Sequence, residues 1–246
     1  MRPPVRPGET PISAPGRGPR ESSRGAGLTT WVDVRVTCSD DVRTDEAILR
    51  RAVPAVRVAV LTDRAVSYGV GVHPETPFLA RSAKEKLPTV RRTTGGTGLL
   101  HAPGDLAWSI VLPRADPRVG RDFVRAFPRL GEGVVRFLGE RGIASKWTDP
   151  PGTDPEYCLL SARGSVLKHE DRILGGAAQH LTGRALLHHG ILPLEPLDRP
   201  LLRRLFGLTA GATGRLTSLR ELGVQGAAEE LAWKLAARLS DTLSHG

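Results

Sequence analysis

Between Arg91 and Leu106 the chain reads Arg-Arg-Thr-Thr-Gly-Gly-Thr-Gly-Leu-Leu-His-Ala-Pro-Gly-Asp-Leu. Glycines let a backbone approach a ligand closely and aim N–H groups at it, and arginines beside such a turn suit phosphate or carboxylate. The run is not a Walker loop, because no Gly-Lys-Ser/Thr follows at the required spacing. It is not a dinucleotide fingerprint either, because its second glycine turn opens no helix. A second reagent is Cys158, which follows a loop rich in Pro, Gly and Asp. A thiolate attacks a thioester readily, and the acyl-cysteine formed stays reactive toward an amine. The competing reading is a buried structural cysteine. The other cysteine, Cys38, precedes Ser39-Asp40-Asp41 and is given no function. Two cysteines make no disulfide framework and fit a reducing cytoplasm, the expected location. No Cys/His cluster has zinc spacing, and His188 and His189 point to opposite faces of any strand that holds them, so no metal site is expected.

The Arg91–Leu106 run resembles the Arg-Arg-x-x-Gly-Gly-x-x-x-x-His-x-Pro-Gly-x-Leu signature of the lipoate–protein ligase and octanoyltransferase family, whose catalytic fold is shared with biotin–protein ligases. Arg172-Ile173-Leu174-Gly175-Gly176-Ala177-Ala178-Gln179-His180 resembles that family's Lys-Ile-x-Gly-x-Ala-Gln segment. Leu186-Leu187-His188-His189-Gly190-Ile191-Leu192 resembles its following His-Gly-x-Leu strand. Thr44-Asp45-Glu46-Ala47-Ile48-Leu49 and Ser67-Tyr68-Gly69 are weaker matches, and the resemblance runs from about Trp31 to the C-terminus. Asp45 and Glu46 read as helix-start acids, not as a catalytic pair.

The resemblance implies an acyltransferase of protein lipoylation. It would move an octanoyl or lipoyl group from a carrier thioester or lipoyl protein to a lysine of a lipoyl domain, through an acyl-cysteine. Cys158 stands fourteen residues before Arg172, near the place where one octanoyltransferase branch carries its cysteine. Arg172 occupies the position of the family lysine. Either it replaces that lysine, or Lys168 reaches the site instead, or the site is altered; arginine keeps the charge but is planar and effectively never deprotonated. Arg91, Arg92, Gly95, Gly96, Gly98, His101, Gly175, Gly176, Ala177 and His189 are the expected acyl- and substrate-binding residues, with one of the two arginines turned to solvent. The alternatives are an ATP-dependent lipoate–protein ligase, or a non-catalytic member that binds acyl groups or lipoyl domains. No tightly bound cofactor is expected, and ATP with magnesium belongs only to the ligase alternative. The implied partners are acidic acyl carrier proteins and lipoyl domains, served by a monomer without nucleic acid or membrane.

The elements that must position these residues read as an α+β (α/β) fold, a mixed, largely antiparallel sheet with flanking helices. Residues 1–27, rich in Arg, Pro, Gly and Ser, read as a disordered tail, and 28–246 as one catalytic domain. Strands are expected at 31–36, 56–61, 65–70, near 90 and 99, at 107–112, around Cys158, Val166 and Ile173, and at 184–192. Helices are expected from an N-cap at Thr44 to about Ala52, over 77–86, over 121–139 with a break at Pro128, over 201–206 and over 227–243. Residues 148–156 read as a loop. The net charge is +9 over 246 residues; residues 1–27 carry five Arg and two Glu, which leaves +6 on the rest. That balance suits acidic protein partners. Only five of the 35 basic residues are lysine, a bias that by itself explains how an arginine could arise at 172. No apolar run is long enough to span a bilayer, and Met1–Gly27 lacks the apolar core of a secretory signal.

Overall fold

A computed structural model describes residues 27–120, 126–161 and 164–245. The tail expected over 1–27 and the first five residues of the helix expected from Arg121 therefore lie almost wholly outside the described residues. In chain order the strands and helices are β1 (Thr29–Val36), α1 (Cys38–Arg51), β2 (Ala55–Leu61), β3 (Ala65–Tyr68), α2 (Pro77–Lys84), β4 (Thr89–Arg91), β5 (Gly98–His101), β6 (Leu106–Pro113), α3 (Ala126–Leu130), α4 (Glu132–Gly139), β7 (Lys146–Thr148), β8 (Ser165–His169), β9 (Arg172–Leu181), β10 (Ala185–Leu192), α5 (Arg199–Phe206), α6 (Ala210–Gly214) and α7 (Ala228–His245).

Seven strands form one sheet in the order β1-β2-β6-β10-β9-β8-β7, and three form a smaller sheet, β4-β3-β5. Among the described strand pairs, β1–β2 and β3–β4 are parallel and the rest antiparallel. The mixed, largely antiparallel expectation holds, but the strands divide into two sheets. One face of the large sheet is covered by α4 and α7, whose Val134, Phe137, Leu231, Leu235 and Leu239 pack on Val56, Val58, Trp108, Ile110 and Leu186. The other face meets the small sheet and the helices α2 and α5, through Val66, Phe78, Leu99, Leu205 and Phe206. Burying large aliphatic and aromatic side chains on both faces contributes roughly 1.5–3 kcal/mol for each fully buried side chain, and the candidate site lies within the second layer.

Three expectations change. The first helix starts at Cys38, seven residues before Asp45, with Thr37 as N-cap: its side chain accepts from the Asp40 N–H. Thr44 lies inside the helix, its hydroxyl donating to the Asp40 carbonyl. Asp45 is thus not a helix-start acid but a buried residue of the inward face. The second change concerns the helix expected over 121–139, whose described part is two helices broken at Gly131 rather than at Pro128. Trp147 Nε1 donates to the Gly131 carbonyl, and a Cβ on Gly131 would stand 2.4 Å from that nitrogen. Third, no strand forms around Cys158. Tyr157 makes one bridge to Gly98, and the chain then turns.

Candidate active site

A β-bulge on β9, where the register against β8 shifts between Leu167 and Lys168, sets which side chains reach the inner face. Leu167 is opposite Gly175, whereas Lys168 is opposite Ile173. Gly175 packs against the Ile191 carbonyl and Leu192, away from the cavity; Gly176, Ala177 and Ala178 line it. On β10 the alternation places His189 and Ile191 in the cavity wall and turns His188 to the opposite face, against Trp108 and Phe127. The opposite orientations expected of the two histidines are therefore observed. The empty space between these walls, its open mouth included, is about 620 Å³. Leu99, Ala107, Leu159, Val166 and Ile191 make its surface mainly apolar.

Cys158 enters this cavity from the 149–161 segment. Its N–H donates to the Gly98 carbonyl (2.8 Å), and the Gly98 N–H donates to the Glu156 carbonyl (3.0 Å). The loop is thus stapled to the start of β5, and Tyr157 is buried against Phe206 beneath it. The sulfur faces the glycine turn: a Cβ on Gly96, whose φ is +97°, would lie 2.8 Å from Sγ. At Gly69 a Cβ would strike the Gly96 carbonyl oxygen at 2.3 Å, so two glycines let the end of β3 and this turn touch.

Arg92 is the cation at the sulfur. Nη2 donates to the Gly95 and Thr97 carbonyls and to Cys158 Sγ at 3.9 Å, while Nη1 donates to Ser67 Oγ at 2.8 Å. Ser67 Oγ, having accepted from arginine, keeps its own proton for Nε2 of His101, 2.7 Å away. That assigns the His101 ring proton to Nδ1, which is buried without a partner among the described residues. Burial, then Arg92 and His189, pull the His101 pKa down to about 3, so the ring stays neutral. Beyond it, Asp105 closes the Pro-Gly turn by accepting from the Ala102 and Leu194 N–H groups.

A second network had no counterpart in the sequence reading. Arg57, buried on β2, binds Asp33 (2.6 Å), Asp41 (2.6 Å) and Asp45 (3.2 Å). Asp45 Oδ2 meets His189 Nδ1 at 3.1 Å, and His189 Nε2 meets the Thr94 hydroxyl at 2.9 Å, which ties α1 to the glycine turn. Burial works against the Asp45 charge, but the hydrogen bond and charge of His189, with Arg57, hold its carboxyl below the usual range. The available signal was an arginine in the middle of the apolar run Ala55–Leu61, a place that demands buried counter-charges. Cys38, left without a role, also lines the cavity, and burial with nearby Asp41 pushes its thiol up to about 12.

The structure thus gathers Cys158, Arg92, His101, Gly176, Ala177 and His189 around one cavity. Gly96 abuts it through the sulfur, and Gly95 supplies a carbonyl to Arg92. Gly98 is packed behind it on the rings of Phe78 and Phe206. Arg91 is exposed, its guanidinium on the Val70 carbonyl. Arg172 and Lys168 are half-buried on β9 and β8 and are not among the lining residues.

The profile of the lipoyl protein ligase A/B catalytic domain matches residues 40–236. The chain belongs to that family. Similar relatives of this lipoyl ligase family member include the octanoyltransferase LipM of Exiguobacterium sp., 29% identical over 192 residues, 70% of this chain and 69% of that one. The octanoyltransferase LipM of Bacillus subtilis is 29% identical over 132 residues, 50% of this chain and 47% of that one. The shared region thus spans about half to two thirds of these relatives' length. Lipoate-protein ligase A bound with ATP superposes with a TM-score of 0.69 at 23% identity, covering 89% of this chain and 86% of that one. A bi-partite lipoate protein ligase of Thermoplasma acidophilum gives 0.62 at 22%, covering 86% and 82%. These likenesses establish the lipoate ligase fold. Among the described residues no group of His, Cys, Asp and Glu is arranged to hold a metal ion, and no helix is long and apolar enough to cross a membrane.

Proposed function

We propose that this chain is an octanoyltransferase of protein lipoylation working through octanoyl-Cys158, with residues 28–246 as one catalytic domain. The observation that carries the reading is the thiol of Cys158 in an apolar cavity, with the Arg92 guanidinium 3.9 Å from its sulfur. The thiolate attacks the carbonyl carbon of a carrier thioester, a C–S bond forms, the carrier's C–S bond breaks, and the carrier leaves as a thiolate that takes a proton from solvent. An amine of a lipoyl-domain lysine then attacks the new thioester, and the Cys158 thiolate leaves. Both tetrahedral intermediates put negative charge on oxygen, which the cation of Arg92 is suited to stabilise. The aliphatic wall accepts the alkyl chain, and the route uses no tightly bound cofactor. The ATP-dependent alternative asks Arg91, Arg92 and Arg172 to hold phosphates together. Arg91 is instead exposed with its guanidinium on the Val70 carbonyl, and Arg172 does not line the cavity.

The test is intact-protein mass after incubation with octanoyl-carrier protein. Wild type should gain one octanoyl group, about 126 Da, discharged by a lipoyl domain; Cys158→Ser should gain none that a lipoyl domain discharges. No gain in wild type, with a donor proven on a known enzyme, would sink the thiol mechanism and direct attention to magnesium-dependent pyrophosphate exchange.

A further inference from the structure

We infer that Asp41 is the group that takes the proton from the acceptor amine when acyl-Cys158 is discharged. The inference rests on the octanoyltransferase reading. A lysine arrives mostly as an ammonium: it must give one proton to solvent before its nitrogen can attack, and that nitrogen must shed a second proton as the amide forms. Of the polar side chains in the cavity wall, most cannot accept one. Arg92 is a permanent cation. Both ring nitrogens of His189 are engaged, one by Asp45 and one by Thr94. His101 uses Nε2 toward Ser67 and is too weak a base at neutral pH. Cys38 is held as a neutral thiol, and Cys158 is the leaving group.

Asp41 is the one carboxylate in that wall among the described residues. It stands in the first turn of α1, with 13% of its side chain exposed. Arg57 binds its Oδ1, and Oδ2 takes no hydrogen bond from the described residues. Asp41, Arg92 and Cys158 line the same cavity, with Cys38 and Val42 of α1 beside Asp41 in its wall. The groups facing Asp41 are Asp45 on its own helix, Arg57 on β2 and His189 on β10, with Asp33 of β1 sharing Arg57. Burial and Asp45 outweigh Arg57 and His189 and push the Asp41 carboxyl up to about 6, a basicity suited to proton transfer near neutrality. In the step, the amine nitrogen forms its bond to the acyl carbon and the nitrogen's proton passes to Asp41 Oδ2. The carbon–sulfur bond then breaks with its electron pair going to Sγ, and Asp41 returns the proton to solvent.

Single-turnover discharge of octanoyl-enzyme separates the possibilities. Asp41→Asn should acylate from octanoyl-carrier protein like wild type, which also shows that it is folded. Its discharge to the lipoyl-domain lysine should be slowed about 100-fold or more. Discharge by hydroxylamine, whose nitrogen is unprotonated at neutral pH and far more acidic than lysine's once bonded to the acyl carbon, should stay within about twofold of wild type, since water suffices as its base. Wild-type discharge to lysine in the variant, or an equal loss with both amines, would overturn the assignment. Should the Asn variant not fold, wild type decides. Its log rate of discharge to lysine should rise with a slope of about two at low pH and about one above the titration of Asp41 near 6. A single slope across that range would overturn it. Failure of wild type to form octanoyl-Cys158 would take down the function and this inference together, and it is visible before Asp41 is tested.

Discussion

At Gly96 the backbone passes through φ +97°, and an added Cβ would stand 2.8 Å from Cys158 Sγ and 2.9 Å from Arg92 Nη2. A side chain there is strained in its backbone and displaces both the sulfur and the guanidinium. Gly96→Ala is expected to lower the rate of Cys158 octanoylation tenfold or more, at a stability cost of about 1–3 kcal/mol, read by a mass time course and by urea unfolding. At Gly95 a Cβ would meet nothing within 4 Å, so Gly95→Ala should be far milder. On the opposite face His188 carries the reverse problem. Among the described residues neither of its buried ring nitrogens has a partner, and its ring packs 5.0 Å from Trp108 and 4.6 Å from Phe127. Burial, then His189, hold its pKa down to about 3, against about 6.5 in an unfolded chain. The unfolded state therefore binds a proton first: the stability tied to this ring is present above pH 6.5 and is lost as pH falls toward 3. His188→Leu should stabilise the protein by about 1 kcal/mol at pH 7, and by about 2 kcal/mol more at pH 5. Equal gains at the two pH values would mean that the ring is paired or solvated.

The cavity's shape belongs to elements rather than to single residues, because the β9 bulge decides that Gly176 and Ala178 face the cavity while Gly175 faces Leu192. A Cβ on Gly176 would already touch Leu159 Cδ2 at 2.6 Å, so the wall has no slack there. Ala178→Leu should fill part of the channel. Each methylene excluded costs about 0.8 kcal/mol, so transfer of octanoyl should fall relative to butyryl by about tenfold or more in kcat/KM. An unchanged ratio would place the chain elsewhere. Strands and the later helices were legible because their apolar period, two or 3.6, is imposed by one buried face. The start of α1 was not, since Thr44-Asp45-Glu46 and Thr37-Cys38-Ser39-Asp40 both offer a capping residue followed by acids. Choosing the later one hid the buried Asp45 and the cavity-lining Cys38 and Asp41. The Cys158 segment misled for another reason. Its pairing is a single bridge to Gly98 from far along the chain, which no local pattern encodes. The motif-bearing residues Arg92, Gly96, His101, Cys158, Gly176 and His189 were legible and do converge. Arg57 with its three carboxylates was not, because partners on β1 and α1 are set by tertiary contact alone.

At the scale of the whole molecule the balance of charge governs encounter rather than fold. Residues 28–246 carry +6 of the net +9, and Arg57, the most buried cation among the described residues, is neutralised inside, so the remaining excess belongs largely to groups nearer solvent. A surface of that sign raises the encounter rate with an acidic protein, and salt screens it over a Debye length of about 10 Å at 0.1 M. A neutral small thioester feels no such steering and reaches the same sulfur. The second-order rate of Cys158 octanoylation by an acidic octanoyl-carrier protein should therefore fall by about tenfold between 50 mM and 500 mM salt. With octanoyl-N-acetylcysteamine as donor it should change by less than about twofold, because chemistry in the cavity is shielded from bulk ions. Parallel salt dependence for both donors would assign the effect to the site itself, to Arg92 or the Arg57 cluster, and would remove charge steering from the account of how the carrier is chosen.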